Sequence, residues 1–259
     1  MDVDKIRNVA LIGHSGEGKT TLAEAILFNC NAIDRQGKVD DGNTVMDFDA
    51  EEINKKSSIS LACANGEYKG YKFNIIDVPG FYDFECEMVQ ALAVADSAII
   101  VTGAGGNLTV GTEKAIDYCV EHEIPAMLFV NGLDKDNSDF IKTVNAIKEK
   151  YGHKIAPMIV PNMIDGKMKG FVKVAYGVLR DWERNESAVP DYLQDAYEEA
   201  KLAVTEAAAE NDEELLDKFF TDGELAPEEI ELGVKKGINS CSTITVLGGS
   251  AIKITAYSI

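Results

Sequence analysis

Residues 13–21 have the sequence GHSGEGKTT, the most informative motif of the chain. It follows a short apolar run at residues 8–12 and precedes a helical pattern that begins at Leu22. The stretch fits G-x-x-x-x-G-K-[ST], a loop in which glycines let backbone N–H groups surround a phosphate at a helix start. Lys19 would neutralise phosphate charge, and the Thr20 hydroxyl would ligate Mg²⁺. The pattern predicts a nucleotide-phosphate site, and a plain glycine-rich turn is the alternative.

The first 150 residues alternate short Val/Ile-rich runs with helical patterns. Strands are predicted at 8–12, 71–76, 98–102 and 126–130, and helices at 20–28, 85–95, 112–121 and 138–150. Strands that are apolar at nearly every position and alternate with helices indicate a mostly parallel sheet with helices on both faces. Two strand-like runs within residues 58–76 meet near residues 66–70, which predicts one antiparallel edge strand. The expected fold class is therefore α/β.

Composition restricts the partners of the chain. Its 259 residues are 46% hydrophobic and carry a formal charge of −19, which disfavours bulk attraction to nucleic acid or to anionic membranes. The sequence has neither an apolar run of about 20 residues nor the order of a secretory signal, so we expect a cytoplasmic protein with no membrane or sequence-specific nucleic-acid partner. The five cysteines are scattered, which argues against a disulfide framework and a zinc site.

Much of the negative charge lies in one segment. Residues 180–232 hold 18 acidic and 4 basic residues, a net charge of −14. Helical periodicity is present at 191–209 and 212–220, and Pro227 opens a third helix. We therefore expect a core formed by residues 1–160 and 240–259, interrupted by a small, acidic, mainly helical α/β subdomain at 161–239. The acidic face is either a docking site or a solubilising surface.

Two further motifs follow predicted strands. Asp77 begins DVPG at the end of an apolar run, where a carboxylate faces the ligand crevice of a parallel sheet and would hold Mg²⁺ through water. The Gly80 amide would approach a γ-phosphate, although DVPG is also a good turn sequence. NGLD at 131–134 follows another strand, and Asp134 would accept hydrogen bonds from N1–H and the exocyclic amine of guanine, a donor pair that adenine lacks. An Asn-Gly turn is the alternative.

The order of these segments resembles the GTP-binding domain of the translational GTPases, most closely elongation factor G and elongation-factor-G-like proteins, over about residues 5–251. GHSGEGKTTL is similar to the family's phosphate loop, DVPGFYDF to DTPGHxDF, NGLD to NKxD, and GSA at 249–251 to the last base-contacting loop. The acidic segment is similar to the helical insert of elongation factor G. The resemblance implies a P-loop fold, GTP or GDP with Mg²⁺ as ligand and cofactor, GTP hydrolysis as a switch, and the ribosome as partner of the full-length relative.

These motifs define a predicted site. The nucleotide-binding residues are Gly13, His14, Ser15, Gly16, Glu17, Gly18, Lys19, Thr20, Thr21, Asp77, Gly80, Asn131, Asp134, Ser250 and Ala251. The metal-binding residues are Thr20, Asp77 through water, and Ser58, which by the resemblance takes the place of the switch I threonine. The resemblance also implies that residues 37–56 form the mobile switch, which we expect to be disordered unless a γ-phosphate orders it.

Three departures from the family pattern bear on mechanism. Phe81 stands where the family usually has the histidine that positions the attacking water, so no catalytic residue is assigned and slow intrinsic hydrolysis is expected. Gly16 replaces an aspartate linked to monovalent-cation assistance, and Gly132 replaces a lysine whose stem packs along the nucleotide. Two alternatives stay open: a nucleotide-binding module with little or no hydrolysis, and an ATP-using P-loop enzyme.

The end of the chain is a fourth departure. In the family a core-covering helix and further domains follow the last loop, whereas only IKITAYSI follows Ala251. Its alternating pattern favours a strand. We expect a core truncated at its carboxyl end, with exposed apolar sheet surface and a tendency to self-associate.

Overall fold

The computed structural model describes residues 3–81, 85–253 and 255–256. These residues fall into two compact units, the first within Met1–Thr102, Thr109–Ile124 and Ala251–Thr255, and the second within Gly103–Leu108, Pro125–Ser250 and Ala256–Ile259. No helix in the described ranges combines the length and apolarity needed to cross a bilayer.

The first unit is built on strands around a central β1. Its strands are β1 (Ile6–Ile12), β2 (Ala62–Tyr68), β3 (Tyr71–Asp77) and β4 (Ser97–Gly103), and its helices are α1 (Lys19–Asn29), α2 (Ala50–Lys55), α3 (Glu85–Leu92) and α4 (Val110–Glu121). β3 and β4 pair with β1 in parallel, and β2 pairs with β3 in antiparallel register. Residues 9–12 of β1 are all buried, as the continuous apolar run predicts for a central parallel strand.

The predicted antiparallel strand is confirmed. In the β2–β3 hairpin Tyr68 pairs with Tyr71, and the two residues between them, Lys69 and Gly70, have φ angles of 48° and 78°. Two consecutive positive φ values match a two-residue turn whose twist suits the flanking strands. The carboxyl end of β3 is thereby held by pairing on both sides, to β1 and to β2.

The second unit contains a parallel group of strands and a separate antiparallel sheet. The parallel group is β5 (Ala126–Asn131), β6 (Ile155–Pro157) and β11 (Ile244–Ser250), and β11 pairs with both others. The antiparallel sheet is β7 (Ile159–Ile164), β8 (Lys167–Lys173), β9 (Val178–Asp181) and β10 (Glu186–Ala188). Its helices are α5 (Phe140–Tyr151), α6 (Gln194–Ala209), α7 (Glu213–Asp222) and α8 (Pro227–Asn239), and a two-residue strand β12 (Thr255–Ala256) ends the described chain. The α/β fold class is confirmed.

The three helices predicted in the acidic segment are present as α6, α7 and α8. They share one apolar core with the antiparallel sheet, in which Val204 of α6, Ile230 of α8 and Val172 of β8 are fully buried. A Cβ on Gly233 of α8 would lie 2.4 Å from the Ala208 carbonyl oxygen, so a glycine there lets α6 and α8 approach closely. The acidic side chains therefore cover the outside of a regular packed core.

Residues 37–56 differ from the prediction. The expected disorder is wrong for this structure, in which a 3₁₀ turn at Val39–Asp41 and helix α2 lie within the segment. Asp49 and Glu52 form a capping box at the start of α2. Some of the polar residues that suggested mobility are carboxylates, and their hydrogen bonds hold the segment in this conformation.

Candidate functional site

The phosphate loop joins β1 to α1 and requires glycine at three positions. Gly13, Gly16 and Gly18 have φ angles of 129°, 79° and 91°, where residues with side chains are strained. A Cβ on Gly13 would also lie 2.2 Å from the carbonyl oxygen of Val101. Gly18 is the N-cap of α1 and accepts the Leu22 N–H at 2.9 Å. The motif spacing thus reflects a backbone path that ends at a helix N-terminus, where anions bind favourably.

Lys19 reaches back over this loop. Its Nζ donates to the carbonyl oxygens of Gly13 and His14 at 3.1 and 2.8 Å. Only 6% of Lys19 is exposed, and burial lowers the pKa of its ammonium group, while the carboxylates of Asp77 and Glu17 oppose that shift. The structure therefore places a buried cation against the loop, as the motif predicts.

Asp77, the last residue of β3, is almost fully buried and lies near Lys19 and Thr20. Burial raises the pKa of Asp77 to about 7, the Thr20 hydroxyl and Lys19 lower it, and the nearby Asp47 and Glu24 raise it. Neither carboxylate oxygen accepts a hydrogen bond of regular geometry from the described residues. Because buried polar atoms are almost always satisfied, this carboxylate has the character of a site for an ion or its water.

Thr20 and Ser58, the two predicted metal ligands with hydroxyl groups, lie together. Their hydroxyl oxygens are 3.1 Å apart, and Ser58 donates to Asp47 Oδ1 at 2.7 Å. Thr20, Ser58, Asp47 and Asp77 therefore contribute hydroxyl and carboxylate oxygens, the donor set that Mg²⁺ prefers. These residues fit the predicted magnesium ion, and Thr20, Ser58 and Asp47 line a cavity of ≈ 410 Å³ together with the phosphate loop.

Asp47 was not predicted from the sequence. It is buried, and it accepts hydrogen bonds from Ser58 and from the Thr44 hydroxyl at 3.3 Å. An acidic residue in a segment rich in acidic residues carries no motif signal, and only the folding of residues 37–60 brings it beside Asp77. Glu52 contributes to that folding, since its Oε1 accepts the backbone N–H groups of Ile59 and Ser60 at 2.9 and 3.1 Å.

Gly80 and Phe81 follow β3 and border the same cavity. A Cβ on Gly80 would lie 2.6 Å from the Ser15 backbone nitrogen and 2.2 Å from Lys19 Nζ, so the Gly80 backbone packs directly on the phosphate loop. Phe81 is 49% exposed and also lines a second, mainly apolar cavity of ≈ 230 Å³ with Val78 and Met88. The ring thus adds an apolar wall where the family has an imidazole.

Of the base-contacting residues predicted from the sequence, Asn131, Asp134 and Ser250 lie in the second unit. Asn131 ends β5 and pairs in register with Gly249 of β11, and the Leu133 N–H donates to the Gly249 carbonyl at 3.1 Å. Leu133 is fully buried, which anchors the turn in the apolar core and places Asp134 directly after it. The carboxyl ends of β5 and β11 thereby bring Asn131 and Asp134 next to the segment that leads to Ser250.

Ser250 and Ala251 are both buried. The Ala251 carbonyl, in the first unit, accepts a hydrogen bond from Gln36 Nε2 at 2.8 Å. The predicted loop is therefore a packed backbone segment rather than an exposed turn.

Gly132 stands in the place of the family lysine with a φ of 83°. The position that a Cβ on Gly132 would take is 3.2 Å from Lys135 Cδ and 3.3 Å from its Cε. The aliphatic stem of Lys135, three residues later, therefore covers the backbone at the point where the family lysine begins.

Comparison with known proteins gives a consistent result. The family model described as the elongation factor Tu GTP binding domain matches residues 4–258. A crystal structure of a protein from Thermus thermophilus is 31% identical with a TM-score of 0.85, over 95% of this chain and 38% of that chain. This chain thus spans less than half the length of that relative. The family model covers nearly the whole chain, and the chain belongs to the elongation factor Tu GTP-binding domain family.

Proposed function

We propose that this chain is the GTP-binding domain of an elongation-factor-G-like translational GTPase, which binds GTP or GDP with Mg²⁺ and hydrolyses GTP as a switch. The observation that carries the proposal is the buried Asp77 carboxylate, which lacks regular hydrogen bonds beside Thr20, Ser58 and the phosphate loop. A buried carboxylate whose oxygens lack regular hydrogen bonds is costly unless a ligand compensates it. A cation with a nucleotide polyphosphate supplies that compensation.

Each residue group has a role in this proposal. The amides of residues 13–21 and Lys19 bind the phosphates, and Thr20, Ser58 and Asp77 hold Mg²⁺, Asp77 through water. When bound, Mg²⁺ neutralises charge on the β- and γ-phosphates. Gly80 is placed for its amide to meet the γ-phosphate, since its backbone already packs on Ser15 and Lys19.

Asp134 and Asn131 are proposed to recognise guanine. A carboxylate accepts both the N1–H and the exocyclic amine of guanine, and adenine offers no such pair of donors. The backbone near Ser250 and Ala251 is proposed to face the guanine O6. This assignment separates the proposal from an ATP-using enzyme with the same phosphate loop.

Hydrolysis is proposed to be slow without a partner. Phe81 has no group that orients or polarises water, while positioning and charge neutralisation by Lys19 and the loop amides are retained. We further propose that residues 161–239 form the acidic inserted subdomain, and that the intact cytoplasmic protein acts on the ribosome. The rival function, a nucleotide-binding module without hydrolysis, is favoured by the same half-exposed Phe81 ring at the cavity wall.

Nucleotide titration tests the binding proposal. Fluorescent GDP, GTP and ATP are titrated against the chain with Mg²⁺ and again with EDTA. Tight binding of both guanine nucleotides and weak binding of ATP are expected, and equal affinity for ATP would refute the roles of Asn131 and Asp134.

Phosphate release separates the switch from the rival module. It is measured for the wild type and for Phe81→His, each with and without ribosomes. The proposal predicts slow release that rises roughly 100-fold or more in Phe81→His, the scale of a general-base contribution. No release under any of these conditions supports the rival.

A further inference from the structure

Helix α1 carries a buried carboxylate that none of the motifs explains. Glu24 is 0% exposed. Its Oε2 accepts the Gly37 N–H at 2.9 Å, and its Oε1 accepts the N–H groups of Val45 and Met46 at 2.6 and 3.4 Å. A carboxylate that accepts several backbone amides forms charge-assisted bonds, which are stronger than those between neutral groups.

These bonds tie both ends of one segment to the same side chain. We call residues 37–47 the strap. Gly37 at its start and Val45 and Met46 near its end all donate backbone hydrogen bonds to Glu24. A Cβ on Gly37 would lie 2.7 Å from Glu24 Oε2, from the Asn43 carbonyl oxygen and from Thr44 Cα, so glycine lets the two ends of the strap pack closely beside the carboxylate. The strap is therefore shaped around the Glu24 side chain.

The far end of the strap reaches the proposed metal site. Asp47, its last residue, directly follows Met46 and accepts the Ser58 hydroxyl at 2.7 Å. Ser58 in turn lies 3.1 Å from the Thr20 hydroxyl. Thr20 and Glu24 are four residues apart in α1 and so lie on the same face of that helix, one turn apart. One helix face thus carries both a proposed metal ligand and the anchor of the strap.

We propose that Glu24 is a positioning residue that holds the strap so that Asp47 and Ser58 stand beside Thr20, which couples the strap to Mg²⁺ and the GTP-bound state. This inference rests on the proposed function, because it concerns the same site. Since α1 directly continues the phosphate loop, Glu24 transmits the position of that loop to the strap through a single helical turn. Without its carboxylate, the phosphate loop is retained but Asp47 and Ser58 are no longer aligned with it.

The first test replaces Glu24 with glutamine. Glu24→Gln keeps the side-chain volume but puts an amide NH₂ where an oxygen now faces a backbone N–H, so at least one bond is lost. We expect affinity for a non-hydrolysable GTP analogue with Mg²⁺ to fall roughly 10-fold or more, the scale of a hydrogen bond to a charged group. GDP affinity in EDTA should stay within about 3-fold of wild type, because the phosphate loop is unchanged. Trypsin should also cleave faster after the exposed Lys38 within the strap.

Two matched controls separate positioning from general damage. Glu51→Gln neutralises an exposed carboxylate in α2 that pairs with Lys55, and it should behave as wild type. The other control is Val45→Ala, which is matched to a second test variant, Val45→Pro. Val45→Pro removes one donor to Glu24 without altering α1, whereas Val45→Ala shortens the same side chain but keeps that donor. If Glu24→Gln fails to fold, Val45→Pro compared with Val45→Ala still decides the question.

The outcomes are distinct. Loss of GTP-analogue affinity and faster cleavage in Glu24→Gln and Val45→Pro, with GDP binding retained, supports the inference. If both variants keep the wild-type affinity for the GTP analogue, the wild-type Mg²⁺ requirement and the wild-type cleavage rate, the inference is overturned. A wild-type chain that binds no guanine nucleotide overturns the proposed function and the metal role of Glu24 together, and the cleavage rates then decide separately whether Glu24 holds the strap.

Discussion

The residues predicted for the phosphates and those predicted for the base are held in place by different forces. In the first unit the ionisable side chains of Lys19, Glu24, Asp47 and Asp77 are all buried. In the second unit the turn at 131–134 is held by strand pairing, by the backbone bond from Leu133 to Gly249 and by burial of the Leu133 side chain. The phosphate residues should therefore respond strongly to changes of charge and pH, and the base residues to changes in hydrogen-bonding groups and backbone shape.

The largest effect is expected where a buried charge meets the phosphates. Lys19→Met removes the ammonium group that now bonds the loop carbonyls, and affinity for GDP and GTP should fall by roughly 100-fold, as loss of a charge-assisted bond implies. Fluorescent nucleotide titration measures it. Lys38→Met, an exposed lysine of the strap, is the control. Equal losses in both variants would show that general surface charge, rather than Lys19, drives binding.

A smaller but more selective effect is expected at the base residues. Asp134→Asn replaces one acceptor oxygen by a donor, so GDP affinity should fall roughly 10-fold or more. Xanthosine diphosphate, which has a carbonyl in place of the exocyclic amine, should gain affinity in the variant. Competition titration compares the two nucleotides, with the exposed Asp136→Asn as control. Unchanged preference in Asp134→Asn contradicts the assignment.

The third effect concerns stability and has a definite sign. The folded pKa of Asp77, about 7, exceeds its ordinary value of 3.8. Between these values the folded state retains a proton that the unfolded state releases, so this carboxyl lowers the free energy of unfolding as pH rises from about 4 to about 7. Asp77→Asn lacks this contribution. Its free energy of unfolding should therefore exceed that of wild type by about 1–3 kcal/mol at pH 8, in EDTA and without nucleotide.

Denaturant unfolding at several pH values measures the difference. The control is Asp40→Asn, whose carboxylate is 90% exposed. Curves for Asp77→Asn and wild type that stay parallel from pH 5 to pH 8 would show that burial does not perturb this group. Added Mg²⁺ and GDP should stabilise wild type more than the variant, because ligand binding to the folded state raises stability.

The smallest effect tests backbone shape in the base turn. Gly132→Ala places a side chain at a φ of 83° and should lower the free energy of unfolding by about 1 kcal/mol, the cost of a left-handed residue. Thermal unfolding measures this change. Gly105→Ala is the comparison, because Gly105 has no positive φ and its nearest neighbour is a side-chain oxygen 3.2 Å away. A gain in stability at Gly132 would contradict the strain argument.

The sequence alone was sufficient for the features that depend on local geometry. Glycines 13, 16 and 18 with Lys19 predicted the loop, since positive φ angles need glycine, and apolar periodicity predicted β1, β3 and the three helices of the acidic segment. Helix ends were less accurate: α3 ends at Leu92 rather than at residue 95. The strands within 159–188 were not predicted individually, because Pro161 and Gly170 interrupt the patterns of β7 and β8, and β9 and β10 have only four and three residues.

Only the tertiary structure decided which charges meet. Glu24, Asp47 and Glu52 look like surface residues in an acidic chain, yet all three are buried and accept hydrogen bonds that fold residues 37–60. No spacing rule predicts these contacts, since Glu24 bonds groups 13 to 22 residues away across a loop. Local geometry is determined by neighbours along the chain, whereas pairing and desolvation of charges depend on which distant segments pack together.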